Sequence, residues 1–174
     1  LNTPQTGIVQ GMQPILGYNF GQKKWERVRK TIFYSLGSSI TYGLLVCGVS
    51  MLIPSILIGL LSREPAIITE GQTALRLMAL AFPVSGISVM VAAYFQAVGH
   101  AREALVITLG GILLVKLPVL LLASSLFSLT GIWISEAISE LILCVIALLM
   151  LRSYQEKMIA SERLVPSPSS GLSD

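Results

Sequence analysis

TIFYSLGSSITYGLLVCGVSMLIPSILIGLL, residues 31–61, contains no Asp, Glu, Lys, Arg or His. A helix needs roughly 20 apolar residues to cross a hydrocarbon core about 30 Å thick. This run exceeds that length, so its reading places the chain in a bilayer. The excess must tilt, kink or emerge, and Pro54, which has no N–H to donate, marks the expected kink.

The rest of the 174 residues reads the same way, because 53% are hydrophobic and only 12% charged, with a mean hydropathy of +0.77. That balance lies far from that of an ordinary soluble domain. Further spans are expected from about Leu77 to Val98, from Ala104 to Phe127 and from Ile132 to Leu151. Residues 1–20 look like the last part of a span already in progress, so more sequence is expected upstream. The expected fold is an all-α, polytopic bundle of about five spans over residues 1–151. A cytoplasmic tail over 152–174 follows, disordered from Pro166 onward, where PSPSSGLSD has little to bury.

Charge in the connections supports this parsing, since Lys and Arg gather on the cytoplasmic side of short loops. QKKWERVRK holds Lys23, Lys24, Arg27, Arg29 and Lys30 and belongs inside. SREPAIITEGQTALR balances Arg63 and Arg76 with Glu64 and Glu70 and belongs outside. GHAREA, with His100 and Arg102, returns inside; SLTG is uncharged and outside; RSYQEKMIASER, with Arg152, Lys157 and Arg163, ends inside. The net charge of +3 therefore sits at membrane edges facing anionic headgroups, and no nucleic-acid partner is expected. Cys47 and Cys144 fall within spans and read as small apolar residues, with no disulfide or metal site implied.

Polar residues within the spans are the candidate functional groups. Thr3, Thr6, Gln10 and Gln13 follow one another at spacings of three, four and three, which puts them on one helix face. Against lipid each would be unsatisfied at a cost of a few kcal/mol, so the face should meet other helices or a wet cavity. Interhelical hydrogen bonding and cavity lining both satisfy that requirement. Ser85, Ser88, Ala92 and Gln96 form a second small and polar stripe, with Tyr94 near its inner end, open to the same two readings. Gly7 with Gly11, and Gly17 with Gly21, permit close helix approach, and Pro14 frees a carbonyl beside the first stripe.

Lys116 stands about halfway along an apolar run, where a charge costs roughly 2.5–3.5 kcal/mol and requires a partner or water. Glu136 and Glu140, one turn apart in the next span, are the nearest acids. Counted from the shared outside loop, Lys116 and Glu140 lie at nearly equal depth, with Glu136 shallower. A Lys116–Glu140 ion pair follows, either as a structural tie or as part of cation coupling. No GxxxxGK[ST], HExxH, CxxC or GxSxG pattern occurs, so no enzymatic apparatus is visible, and transport would have to draw on an ion gradient.

GMQPILGYNFGQKKWERVRK (residues 11–30) resembles the GxQPxxxYNxGxxxxxRV pattern after the eighth helix of multidrug and toxic compound extrusion (MATE) transporters. AYFQAVGHAREAL (93–105), LVKLPVLLL (114–122) and GIWISEAISEL (131–141) resemble, in order, parts of that family's tenth, eleventh and twelfth helices. The resemblance implies the back half of the second lobe of a twelve-helix exporter in the plasma membrane. Such an exporter exchanges cationic or amphipathic drugs for Na+ or H+, needs no cofactor beyond that transported ion, and works only with its other lobe. Lys116 and Ala137 stand where other members often carry arginine and proline, and residues 77–98 hold no acid where some branches place a cation ligand. The cavity-lining candidates are then Thr6, Gln10, Gln13 and Asn19 from the first span, and Ser88, Tyr94 and Gln96 from the third. Lys116, Glu136 and Glu140 are the coupling candidates. A non-transporting membrane fragment or interaction protein is the alternative from another class. A lipid-linked saccharide flippase of the same superfamily is a nearer one, disfavoured by the GxQPxxxYN match.

Overall fold

A computed structural model describes residues 3–60 and 64–164. Every element among them is helical: α1 (Thr3–Gly21), α2 (Trp25–Leu52), α3 (Pro54–Gly59), α4 (Pro65–Ala79), α5 (Phe82–Ala97), α6 (Ala101–Leu105), a π-helical segment (Val106–Lys116) and α7 (Leu117–Leu164). The all-helical, polytopic membrane class expected from composition is the one observed. Three stretches among the described residues are long and apolar enough to span a bilayer, Trp25–Leu52, Ala101–Ser128 and Thr130–Lys157, and a bent pair, taken as one span, passes the same test. α1 does not join them on hydropathy, because glutamines and glycines dilute its apolar residues. It is tied to the bundle by Met12 and Leu16, both buried.

The boundaries depart from the expected ones where proline or strain intervenes. The 31–61 run begins earlier, at Trp25, and stops at Leu52; Pro54 then opens α3 at a position where a missing N–H costs nothing. The 77–98 span is two helices, Glu70–Ala79 and Phe82–Ala97, inclined by 48° across Leu80 and Ala81. Pro83 lies in the first turn of α5 and cannot extend the hydrogen-bond ladder of α4. The loop expected at 128–131 is a tight break at Ser128 (φ 52°, ψ −132°), so that α7 is two helices meeting there, one in the span Ala101–Ser128 and the next in the span Thr130–Lys157. Beyond Leu151, where a tail was expected, α7 continues helical to Leu164; the stretch from Pro166 onward lies outside the described residues.

α5 is the central helix. Met90 through Phe95 are all buried, which is the pattern of a helix surrounded by neighbours and not of one with a lipid face. α2 crosses it at small residues: a Cβ on Gly43 would stand 2.6 Å from the Phe82 carbonyl oxygen, and one on Gly86 would collide with Ser39 Oγ and Gln5 Nε2. Lipid removes the hydrophobic drive between helices, so backbone proximity of this kind, with its dispersion contacts, holds the bundle together. Outward-facing Leu52, Leu114 and Leu126 are exposed to the surroundings, as acyl chains demand.

Candidate functional site

The π-helical segment ends at Lys116 and is closed by Leu117 N–H donating to the Ile112 carbonyl, five residues back. Its wider turns re-phase the side chains that follow, and such segments recur at functional positions. Buried Gly111 gives Leu143 of α7 room to lean in; a Cβ there would stand 2.7 Å from Leu143 Cδ2. This close approach of the π-helical segment to the second half of α7 brings Lys116 opposite the acids.

Lys116 Nζ lies 2.7 Å from Glu140 Oε1 and 2.8 Å from Glu136 Oε1. The structure thus adds the acid expected to sit too shallow: a four-carbon stem lets one ammonium reach carboxylates a helical turn apart. Glu140 is the more enclosed, with a side chain 9% exposed against 39% for Glu136. Cys144 continues the same face one turn further and is also buried. Two carboxylates thus flank one ammonium between the π-helical segment and α7.

In a separate contact, Gln13 Nε2 donates to Gln96 Oε1 at 3.2 Å, joining α1 to the end of α5. Gln96 and, on the α1 stripe, Thr6 and Gln10 are exposed, and Gln13 is half-buried. The two amides therefore meet on an open polar face. Three of the expected lining residues do not share it. Tyr94 is fully buried, with its ring edge-on to Phe95 and Tyr154 at centroid distances of 5.5 and 6.1 Å. It falls on the core side of α5 because its neighbours in space are aromatic. Asn19 turns inward and donates Nδ2 to the Ile15 carbonyl of its own helix at 2.8 Å. Ser88 is buried as well, and its hydroxyl makes no hydrogen bond among the described residues.

Two polar contacts escaped the sequence reading. Gln5 Nε2 donates to Ser39 Oγ at 3.2 Å in a buried crossing of α1 with α2, under Gly86. Gln5 lies beside the stripe of Thr3 and Thr6 but off its face, so only the small residues around Ser39 could have signalled a partner. Tyr154 OH and His100 Nε2 are 2.8 Å apart, while His100 Nδ1 lies 3.4 Å from Glu103 Oε1. This contact fastens the α5–α6 turn to α7. Among the described residues no group of three His, Cys, Asp or Glu could hold a metal ion.

A family model described as MatE matches residues 2–122. The multidrug export protein MepA of Staphylococcus aureus (strain bovine RF122 / ET3-1) is 26% identical over 156 residues, covering 87% of this chain and 33% of its own length. The protein of the same name from Staphylococcus saprophyticus is 29% identical over 154 residues, with the same coverage. The chain thus spans about a third of the length of the curated relatives it matches. An outward-facing MATE family transporter of the MOP superfamily superposes with a TM-score of 0.85 at 18% identity, over 91% of this chain and 36% of that one. An inward-facing structure of such a transporter gives 0.83 at 19%, over 91% and 37%. At these identities the likeness establishes the fold.

Proposed function

Because this chain belongs to the MatE family, we propose that it forms part of one lobe of a secondary active multidrug efflux antiporter in the plasma membrane, with its C-terminal end cytoplasmic. The cargo is cationic or amphipathic small molecules, and the driving ion is Na+ or H+. The observation that carries this reading is the open polar face of α1 and α5, where Gln13 is bonded to Gln96 beside exposed Gln10 and Thr6. A face of that polarity is costly against acyl chains, and it suits the wall of a water-filled passage closed by a second lobe. Amides suit a polyspecific wall because each offers both a donor and an acceptor and can pivot between partners.

Lys116, Glu136 and Glu140 supply the ion side of the exchange. The cluster lies in the two last spans, and an added cation or proton there changes how strongly Lys116 holds α7 to the segment before it. Coupling follows if that grip differs between the inward- and outward-facing arrangements, since a ligand shifts an equilibrium only by its differential affinity. Alternating access needs two bodies around a midplane site, so this chain alone transports nothing.

The test is gradient-dependent dye efflux from cells carrying the complete coding sequence. Gln13→Ala with Gln96→Ala should lower efflux and change the rank order of dyes, while Glu140→Gln should abolish the gradient dependence at unchanged membrane expression. Efflux indifferent to the glutamine pair would remove the α1–α5 face from the passage, and indifference to Glu140→Gln would remove the cluster from coupling.

A further inference from the structure

At the inner membrane edge a groove of about 480 Å³ opens between the first turns of α2 and the part of α7 around Arg152. Its floor is apolar: Ile32 and Leu151 are buried there, and Leu148 forms part of the wall. Its rim is basic, with Arg29 and Lys30 from α2 facing Arg152 from α7. Lys30 is held by Glu26 at 2.7 Å, whereas Arg29 and Arg152 have no acidic partner among the described residues. Rim charges of three cations and one anion leave an excess of two positive charges over a greasy slot. Phe33 and Tyr34 project beside it, 73% and 69% exposed, as aromatic side chains do at the level of lipid headgroups.

We infer that this groove is a binding site for the headgroup of an anionic phospholipid. The phosphodiester is gripped between Arg29 and Arg152, and the proximal acyl carbons lie along Ile32, Leu148 and Leu151. Charge complementarity selects the occupant. A guanidinium fork presents paired N–H donors to phosphate oxygens, and two forks on facing helices form a clamp that a zwitterionic headgroup, with its own ammonium, fills less well. Location agrees, because both basic segments belong to the side on which positive residues gather, and basic pockets between membrane helices on that side are suited to acidic lipid headgroups. The apolar floor distinguishes the site from a simple surface attraction, since a soluble anion has no use for it. Bound there, the lipid ties the start of α2 to α7.

The protein expressed from the complete coding sequence is purified in mild detergent, supplied with phosphatidylglycerol and phosphatidylcholine in equal amounts, and read by native mass spectrometry for retained lipid. Phosphatidylglycerol should be retained preferentially. R29Q/R152Q should weaken that retention about 30-fold, taking the usual contribution of a basic residue near an anionic surface for each arginine. R29K/R152K, which keeps both charges but loses the forks, should fall between the wild type and R29Q/R152Q, and this pair also guards against loss of fold as the cause. R102Q, which removes an exposed charge on the same side away from the groove, should change nothing. Equal retention of the two lipids, full retention by R29Q/R152Q, or an equal loss in R102Q would overturn the site. Displacement of the lipid by free glycerol phosphate at the same concentration would overturn the membrane source, and displacement by an acidic peptide would reassign the groove to a protein partner. None of these readouts involves efflux, so the site and the transport reading fail independently.

Discussion

Lys116 shows most plainly how a single residue sets its surroundings. Its ammonium is opposed by two carboxylates at 2.7 and 2.8 Å, and the cluster is only partly open to the surroundings. Lys116→Met would leave Glu136 and Glu140 facing each other without a cation, which for a partly buried group costs about 3 kcal/mol. Thermal unfolding in detergent should show that loss, and adding Glu136→Gln with Glu140→Gln to the same chain should restore most of it. If the triple variant were as unstable as the single one, the lysine stem and not its charge would be the important part. The pairing with Glu140 was legible in the sequence, because depth from a shared turn can be counted at 1.5 Å per residue. Glu136 was not, since depth counting compares backbone positions and leaves out the reach of a four-carbon stem, which lets one ammonium meet carboxylates a turn apart. Tyr94 was placed on a cavity wall because period counting gives relative faces but not which face the bundle encloses, and α5 is enclosed all round from Met90 to Phe95.

Among the elements, α2 and α5 depend on residues whose value is the absence of a side chain. Gly43 lies against backbone, with a notional Cβ 2.6 Å from both the Phe82 oxygen and the Pro83 Cα, so Gly43→Ala has no flexible atom to push aside. It should destabilise the bundle by about 1–3 kcal/mol in thermal unfolding. Gly37→Ala, on the same helix with open space around it, should be neutral or gain up to about 1 kcal/mol from lower chain entropy in the unfolded state. Equal effects at the two positions would refute the close crossing. The kink in α7 is a second element-scale device. At φ 52°, ψ −132°, Ser128 occupies a region that glycine alone enters without strain, so Ser128→Gly should raise stability by about 1 kcal/mol or more by the same measurement. These devices separate what a sequence shows from what it hides. Long apolar runs reveal that helices span, because lipid imposes their length. The break at Leu80–Ala81 was hidden, because it is set by how Pro83 starts a new helix; the break at Ser128 falls within the expected SLTG connection, and only its tightness, with Gly131 against Ala123, was not legible.

For the whole molecule the question is which surface meets water. Leu114 is 77% exposed on the side of the π-helical segment, while Gln10 is exposed on the polar side of α1. Exposure alone does not distinguish a lipid face from a cavity wall, but the chemistry of the two positions does: leucine loses nothing against acyl chains, and an unbonded amide loses several kcal/mol. If α1 walls a water-filled passage in the complete transporter, a thiol at position 10 will ionise and react with a membrane-impermeant maleimide, whereas a thiol at position 114 will stay protonated in hydrocarbon and unreactive. The experiment replaces Cys47 and Cys144, the two free cysteines, with alanine and compares Gln10→Cys with Leu114→Cys in sealed membranes. Labelling at 10 should exceed that at 114 by at least about tenfold, given how strongly thiol reactivity follows thiolate population. It should also fall when a transported dye is present, because cargo and reagent would share one space. Labelling of both positions alike would mean that the bundle has no lipid side. Labelling of neither would mean that the polar stripe is packed dry against further helices, and Gln13 and Gln96 would then be an interhelical tie instead of a wall.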